Sequence, residues 1–265
     1  MTDARELKTL EETVTVGTRA DHSLFRGHAT DCGQLVPKIF RSQYAELRRR
    51  NRWFECTLIR EFKRMGIIMT PNPPEQDDQL RWLFLMQHHG APTRLLDWTE
   101  NILVALYFAV EDEPEHDGEL WALDPLALNR KHNLKYVPCA DQVDKTLALF
   151  VRQPCQKLDP EDLEKLSYPY AIRPAMYVPR MISQLGAFTI HPTPVGESSG
   201  SMTESFCDSK ALIRYIIPRA CKPQLFMDLA ALGITRRTLF GDLDALAKTV
   251  VATELHRGGA PTDQN

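Results

Sequence analysis

The segment Gln87–Thr99 constrains the fold most, because it places polar, titratable and turn-forming residues between two helical patterns. Asp78 is a suitable N-cap for a helix over 79–89, and Thr99 is predicted to cap a second helix over 100–110. The second helix has a single apolar face. Such a junction holds side chains in defined positions on a rigid frame, which is typical of a binding or catalytic site.

Short apolar or alternating runs elsewhere predict strands that occur irregularly among the helices. These runs cover 93–98 (a strand or turn), 119–123, 187–190 and 211–217. Because strands and helices do not alternate regularly, the pattern favours the α+β class. We expect a single domain in which a small mixed sheet is flanked by helices.

The composition is that of an ordinary globular chain, with 43% hydrophobic and 25% charged residues among 265. No apolar run approaches the ~20 residues of a membrane span, and the N-terminus has no apolar segment of the secretory type. We therefore expect a cytoplasmic protein. The formal net charge of −3 excludes a nucleic-acid binder that works through bulk positive charge.

The cysteines are scattered along the chain, at Cys32, Cys56, Cys139, Cys155, Cys207 and Cys221. None belongs to a Cys-x-x-Cys pair, so no structural zinc site is expected and no metal is assigned. Because cytosolic cysteines remain reduced, we expect all of them to be thiols.

Charge is distributed unevenly. Lys38–Arg64 contains nine basic and three acidic residues, whereas 94–124 contains one basic and nine acidic residues. The basic segment, which includes Arg48, Arg49 and Arg50, is a candidate contact for a nucleic-acid or protein partner. The alternative is that these charges form a solvated helix face.

Several residues of the central segment have side chains suited to chemistry. His88 or His89 would serve as a general acid or base near neutral pH, and Arg94 would clamp a phosphate or carboxylate. Asp97 would orient Arg94 or a histidine, and free N–H groups at Thr99 would suit an anion.

Structural interpretations of these residues remain open. The histidines can cap helix carbonyls, Arg94 and Asp97 can form an ion pair, and Trp98 can belong to the core. A metal site at the two histidines is disfavoured, because adjacent side chains on a helix point apart and no third ligand is evident.

Two further segments carry candidate residues. In Leu24–His28, Arg26 would hold a phosphate and Gly27 would allow the backbone to approach a ligand closely. The alternative for Arg26 is an ordinary salt bridge. In 180–189, Gln184 precedes a predicted strand.

Together these segments resemble the FRG domain family. The Phe-Arg-Gly element is found at 25–27, and a Leu-x-Pro-x-x-x-Arg element follows at 35–41. The most specific signature, QHxGxPTRLLDWTxNxxxALYFA, is matched over 87–109. An Arg-x-x-x-Gln-x-Gly-x-Phe-Thr element is matched over 180–189, and a C-terminal Gly-Ile…Thr-Leu-Phe-x-Asp-Leu-Asp run over 233–244.

The resemblance implies an FRG domain over 20–254, a lead-in over 1–19 and a disordered tail over 255–265. One departure is Gly241, at a position where proline is more usual. Because members of the family resemble parts of bacterial and phage-encoded conflict systems, the resemblance implies a toxin or phage-defence effector.

A fold-level similarity to ADP-ribosyltransferases rests on the same segments. That fold has Arg-Gly on an early strand, a Ser/Thr-rich strand leading into a VAxxFA helix, and a Glu-x-Glu strand. Phe25–Gly27, Thr93–Ala109 and Gln184–Phe188 are similar to these three elements. The similarity implies NAD as the cofactor, and an NAD-dependent ADP-ribosyltransferase or NAD hydrolase.

One departure affects the chemistry: Gly186 stands where the catalytic glutamate is expected. Another acid would have to replace that glutamate, or the domain does not transfer ADP-ribose. The candidates are Asp97, Glu61 and Glu111.

The NAD hypothesis assigns roles to most of the candidate residues. Arg26 would hold the pyrophosphate, Trp98 or Phe25 would flank nicotinamide, and Asp97 with His88 would handle protons. The full catalytic set is Arg26, His88, Arg94, Asp97 and Gln184. The full cofactor-binding set is Phe25, Arg26, Gly27, Gln87, Thr93 and Trp98.

Two alternatives belong to other functional classes. The first is a non-catalytic module that binds nucleic acid or protein through the basic segment Lys38–Arg64, with a steep dependence on salt. The second is a metal-independent phosphodiesterase or nuclease that uses His88 and His89.

Overall fold

The computed structural model describes residues 5–19, 21–174, 179–194 and 210–258. In these ranges the predicted fold class is confirmed, because one open mixed sheet is flanked by helices in an α+β arrangement consistent with a single domain. The described strands are β1 (Arg5–Glu6), β2 (Leu24–His28), β3 (Leu95–Thr99), β4 (Gly118–Leu123), β5 (Tyr170–Ile172), β6 (Gly186–Ile190) and β7 (Leu212–Ile217).

The helices of the described ranges are mostly short. They are α1 (Leu10–Gly17), α2 (Ala45–Arg50), α3 (Phe54–Gly66), α4 (Gln79–His88), α5 (Ile102–Val110), α6 (Pro125–Arg130), α7 (Lys145–Arg152), α8 (Pro160–Glu164), α9 (Pro179–Ser183), α10 (Lys222–Ala231), α11 (Arg236–Phe240) and α12 (Leu243–Gly258). Three 3₁₀ turns, Lys38–Phe40, Ser42–Tyr44 and Arg219–Cys221, connect them.

The strands lie in the order β1-β7-β4-β2-β3-β6-β5. β1 is parallel to β7, and every other described pair is antiparallel. β2, β3 and β6 are therefore neighbours, although β3 and β6 are far apart in the sequence. The three segments that carry the ADP-ribosyltransferase similarity thus lie side by side at the centre of the sheet.

β2 and β3 diverge at the centre of the sheet. β2 pairs with β4 along its whole length, from Leu24 opposite Leu123 to His28 opposite Glu119. By contrast, β2 pairs with β3 at a single position, Phe25 opposite Thr99. The two strands separate beyond that position, and the separation leaves room for side chains between them.

Helix α5 covers one face of the sheet and packs directly on β2. A Cβ at Gly27 would overlap the carbonyl oxygen of Ala105, and a Cβ at Gly118 would overlap that of Ala109. Gly27 therefore allows close approach of α5 rather than of a ligand, which corrects the reason that the sequence suggested. The apolar side chain of Phe25 belongs to the same core as α5.

The opposite face of the sheet has its own core. Leu24, Leu96, Trp98 and Trp121 pack together there, because side chains alternate along each strand. A third core lies where α3, α4 and α7 pack against β5 and β6. The sheet thus separates two layers, and a side chain's position in a strand decides which layer it enters.

The predicted start of α5 is wrong by two residues. Thr99 is the last residue of β3, and its hydroxyl donates to the carbonyl of Gln184 at 2.6 Å. The cap is Asn101, whose side chain accepts from the amide of Leu103 at 2.9 Å. The cap of α4 is as predicted, since Asp78 accepts from the amide of Arg81 at 3.0 Å.

The expectation that all cysteines are free thiols is wrong for one pair. Cys56 on α3 and Cys155, which follows α7, form a disulfide with a Cα–Cα distance of 4.9 Å. The residues are 99 positions apart, so their spacing carried no sign of the pairing. Cys32, Cys139 and Cys221 are free thiols, and Cys207 lies outside the described residues.

The C-terminal helix α12 continues to Gly258, so residues 255–258 are helical rather than part of a disordered tail. Residues 259–265 of that predicted tail lie outside the described ranges. None of the described helices has the length and apolar character needed to cross a bilayer.

Candidate functional site

A cleft of about 370 Å³ opens where β2 and β3 diverge, between α4, α5 and α9. Most of the candidate site residues predicted from the sequence line this cleft. These are Phe25, Arg26, Gly27, Gln87, His88, Asp97, Trp98 and Gln184. A volume of this size is within the range of small-molecule sites, which begins at about 300 Å³.

A chain of hydrogen bonds crosses one wall of the cleft. The hydroxyl of Thr93 donates to Oε1 of Gln87 at 2.5 Å. Nε2 of Gln87 then donates to Oδ2 of Asp97 at 2.7 Å. Since Thr93 is completely buried, it holds Gln87 in place rather than contacting a ligand itself.

Arg26 bridges the gap between the diverging strands. Its Nη1 donates to the backbone carbonyl of Asp97 at 2.6 Å and lies 3.6 Å from Oδ2 of the same residue. Its Nε donates to Nε2 of His28 at 2.9 Å. Burial, together with the charges of Arg26 and Arg41, lowers the pKa of His28 to about 3, so His28 is a neutral acceptor.

Asp97 presents its carboxylate to the cleft. Its side chain is 51% exposed, although it is held by Gln87 and faces Arg26. Leu95, Asp97 and Thr99 share one side of β3, while Leu96 and Trp98 share the other. The alternation of the strand therefore directs this carboxylate toward the cleft.

His88 lines the cleft, whereas the neighbouring His89 does not. Burial lowers the pKa of His88, and the charges of His89 and Arg180 lower it further. His88 is therefore neutral at pH 7 and able to accept a proton. The ring of His89 lies edge-on to that of His88, with 4.9 Å between centroids, and is exposed.

Gln184 and Arg180 enter the cleft from α9 and the turn that follows it. Nε2 of Gln184 is buried and has no hydrogen-bond partner among the described residues. The guanidinium of Arg180 stacks on the ring of Phe240 at 4.3 Å, and that of Arg236 lies 4.7 Å from the same ring.

Arg180 was not nominated from the sequence as a site residue. The sequence could have indicated Arg180, because it is the first residue of the Arg-x-x-x-Gln element that includes Gln184. The C-terminal run over 233–244 supplies Phe240, so that motif positions Arg180 rather than lining the cleft.

Arg94 does not reach the cleft, which corrects its assignment to the catalytic set. It is completely buried and forms a bidentate ion pair with Glu55 on α3, at 2.7 and 2.6 Å. Its Nη1 also donates to Gln153 at 2.7 Å. The suggested ion pair between Arg94 and Asp97 is therefore wrong. Arg94 joins α3, β3 and the end of α7.

Trp98 belongs to the core. Only 4% of its surface is exposed, and its indole N–H donates to the hydroxyl of Thr189 at 3.0 Å. Its ring packs in the core on the face opposite α5, with Leu24 and Leu96. Phe25 also packs against α5, although its atoms contribute to the cleft wall.

Of the three acids considered as substitutes for the expected glutamate, Asp97 alone lines the cleft. Glu61 is on α3 and is paired with Arg64. Glu111 is paired with Arg236 at the end of α5. The described residues contain no cluster of three or more histidine, cysteine or carboxylate groups suited to a metal ion.

Many cations of the basic segment are engaged within the chain. Arg49 and Arg50 both pair with Glu46, at 2.7 and 2.6 Å. Arg48 donates to the carbonyl of Phe40 at 3.1 Å. This arrangement agrees with the alternative interpretation of the basic segment, in which its charges form a solvated helix face.

Comparison with known proteins identifies the N-terminal part of the chain. Residues 21–118 match the family model described as FRG domain. The match runs from just before β2 to the start of β4, so it includes every cleft residue except those of α9, its following turn and β6. No curated protein and no solved structure matches the chain. Over residues 21–118 the chain is therefore similar to the FRG domain.

Proposed function

We propose that the cleft binds NAD and that the chain is an NAD-using ADP-ribosyltransferase or NAD glycohydrolase. One observation carries the proposal: Arg26, Asp97 and Gln184 line the same cleft, at the divergence of β2 and β3. They come from the three segments that resemble the ADP-ribosyltransferase elements. Packing alone does not explain this convergence, because the side chain of Asp97 is 51% exposed and Nε2 of Gln184 has no hydrogen-bond partner among the described residues.

The lining of the cleft suits a dinucleotide. Arg26 and Arg180 are the cations of the described lining, and guanidinium groups bind phosphate through paired N–H donors. Val104, Phe108 and Phe188 supply apolar surface for a ring. The unpaired Nε2 of Gln184 would donate to a ligand oxygen such as that of a carboxamide or ribose hydroxyl.

In the proposed reaction the bond between nicotinamide nitrogen and ribose C1′ breaks, and nicotinamide leaves with the bonding electrons. A water molecule or an acceptor group then adds to C1′ and loses a proton. The Asp97 carboxylate would stabilise the positive charge that develops on the ribose, and neutral His88 would take the proton. Gln87 and Thr93 would act as positioning residues, since they hold Asp97.

Calorimetric titration with NAD tests binding, and chromatography of the reaction mixture tests turnover. We expect NAD to bind, free nicotinamide to be released, and both to be reduced at least tenfold in Arg26→Gln. Arg49→Gln is the matched control, because Arg49 is exposed and its described ion pair is with Glu46.

Arg26 also holds β3, so thermal unfolding of each variant must accompany the assay. Gln184→Ala offers a second test, because its side-chain amide makes no described hydrogen bond whose loss would destabilise the fold. Absence of both NAD binding and nicotinamide release in the wild-type chain would refute the proposal.

We also propose that this reaction makes the chain a toxin or phage-defence effector in a bacterial cell. An enzyme that consumes NAD, or modifies a target with ADP-ribose, would arrest a bacterial host. We expect expression of the wild-type chain to lower cellular NAD or label a target, and Asp97→Asn to abolish the effect. Equal growth and NAD content with both proteins would contradict this role.

A further inference from the structure

A second cavity, of about 510 Å³, adjoins the cleft at Arg26. Its wall includes Leu35, Arg41 and Leu96 as well as Arg26. Since Leu96 and Asp97 are consecutive in β3, their side chains point to opposite faces of the sheet. The cavity therefore lies on the far side of the strand divergence from the cleft, and Arg26 borders both.

The Leu-x-Pro-x-x-x-Arg element builds this cavity, which gives that motif a role the cleft does not provide. Leu35 is buried in the wall, and Pro37 precedes the 3₁₀ turn Lys38–Phe40. The chain then places Arg41 at the cavity rim, where Nε donates to the carbonyl of Val36 at 3.3 Å. The motif thus folds back on itself and presents its arginine to the cavity.

The described lining of the cavity is positively charged, and the nearest described carboxylate to Arg26 is that of Asp97, which lies 3.6 Å from Nη1 of Arg26 and faces the cleft instead. Arg26 and Arg41 line it, and no carboxylate is among its described lining residues. Burial lowers the pKa of His28, and the charges of Arg26 and Arg41 lower it further, so both guanidinium groups act on the same ring. His28 accepts from Nε of Arg26 and is neutral, so it does not offset that charge.

Donors remain available on both guanidinium groups. Nη2 of Arg26 makes no described hydrogen bond, since its described bonds use Nε and Nη1. Nη1 and Nη2 of Arg41 also make no described hydrogen bond, since the described bond of Arg41 uses Nε alone. An anion with several acceptor oxygens would accept hydrogen bonds from both guanidinium groups and reduce the repulsion between their positive charges.

We propose that this second cavity binds a phosphoryl group of the nucleotide that occupies the cleft, with Arg26 and Arg41 as its ligands. The identity of the nucleotide rests on the proposed function, whereas the phosphate site itself rests on the cavity. Arg26 would contact the ligand from the gap between β2 and β3, and Arg41 would close the phosphate site from the far side.

The test is calorimetric titration of the full chain with pyrophosphate, NAD and nicotinamide riboside, which has no phosphate. Arg41→Gln is the test variant, and Arg49→Gln is again the control. Arg41 is exposed, so its substitution leaves the core intact. We expect Arg41→Gln to weaken pyrophosphate and NAD binding about tenfold or more, and to leave nicotinamide riboside binding unchanged.

The outcomes separate this inference from the proposed function. If Arg41→Gln binds pyrophosphate and NAD as tightly as wild type, the phosphate site is refuted even if NAD is consumed. If the wild-type chain does not bind pyrophosphate, the phosphate site is also refuted. If pyrophosphate binds in an Arg41-dependent manner but NAD does not bind, the phosphate site stands and the proposed function fails.

Discussion

Neighbouring residues on β2 serve opposite faces of the sheet. Phe25 and Gly27 face α5, whereas Arg26 crosses the divergence toward β3 and the second cavity. The Phe-Arg-Gly element therefore combines a ring in the core, a cation that lines both cavities and a position without a side chain. Replacement of any one would affect a different property of the protein.

Gly27→Ala tests the packing of α5 on β2. The added methyl group would overlap the carbonyl oxygen of Ala105, which is backbone and can move only with the helix. We expect the free energy of unfolding to fall by about 1–3 kcal/mol, measured by urea denaturation. Gly186→Ala is the matched control, because its methyl group would meet its nearest heavy atom at an ordinary 3.7 Å. Equal loss in both variants would contradict the packing argument.

His28 predicts a dependence of stability on pH. Its pKa is about 3 in the folded protein and 6.5 in its ordinary state, so the unfolded chain binds a proton more readily between these values. The free energy of unfolding therefore falls as pH decreases below 6.5, and the stabilisation is fully present above that pH.

Urea titrations of wild type and His28→Gln at pH 7 and pH 5 measure this contribution. Glutamine retains an acceptor for Nε of Arg26 but does not titrate. We expect the wild-type chain to lose up to about 2 kcal/mol more than the variant between the two pH values. An identical loss in both proteins would show that another group is responsible.

Element boundaries were predictable where local chemistry decides them. Asp78 and Gly90 define α4, because the N-cap and the turn residue act within a few positions. The start of α5 was not predictable in this way, because β3 continues through Thr99 to pair with Gly186. That pairing is tertiary, so the local pattern placed the cap at Thr99, two residues before the observed cap at Asn101.

The disulfide joins two elements that have no other covalent connection nearby. Cys56 is on α3, and Cys155 follows α7 across a sequence separation of 99. Closing a loop of that length restricts the unfolded chain, which stabilises the folded state by up to ~4–5 kcal/mol in the chain-entropy account.

We expect reduction to lower the midpoint of thermal unfolding, measured by circular dichroism with and without dithiothreitol. The double variant Cys56→Ser with Cys155→Ser should unfold at the lower midpoint and no longer respond to the reductant. A wild-type midpoint that does not change on verified reduction would contradict a stabilising disulfide.

At the scale of the whole molecule, the cleft depends on strand order. β2, β3 and β6 are adjacent, and they bring together cleft residues as far apart in the sequence as Phe25 on β2 and Phe188 on β6, which are 163 positions apart. The sequence predicted most of the cleft through motif resemblance, because spacing alone contains no strand order. The prediction that Arg94 belongs to the site was wrong, because its buried partner Glu55 is on α3, far away in the sequence, and the local pattern around Arg94 does not reveal it.

The same strand order allows a test of position 186, where the resemblance to ADP-ribosyltransferases places a glutamate and this chain has Gly186. Gly186 begins β6 opposite Thr99 and lines the cleft. Its backbone is outside the left-handed region, and a Cβ there would have ordinary contacts with Met181. A side chain at this position is therefore tolerated by the fold and would enter the site beside Asp97, which faces the same cleft.

The proposed NAD reaction predicts that Gly186→Glu releases nicotinamide at least tenfold faster than wild type, because a second carboxylate would stabilise the positive charge that develops on the ribose. Gly186→Gln is the control, since it adds the same volume without the charge. Initial rates for the three proteins at saturating NAD, with thermal midpoints to verify folding, measure the effect. Equal rates for the glutamate and glutamine variants would mean that charge at β6 does not reach the reacting ribose. Such a result would restrict the proposed stabilisation of the ribose to a carboxylate on β3, where Asp97 lies.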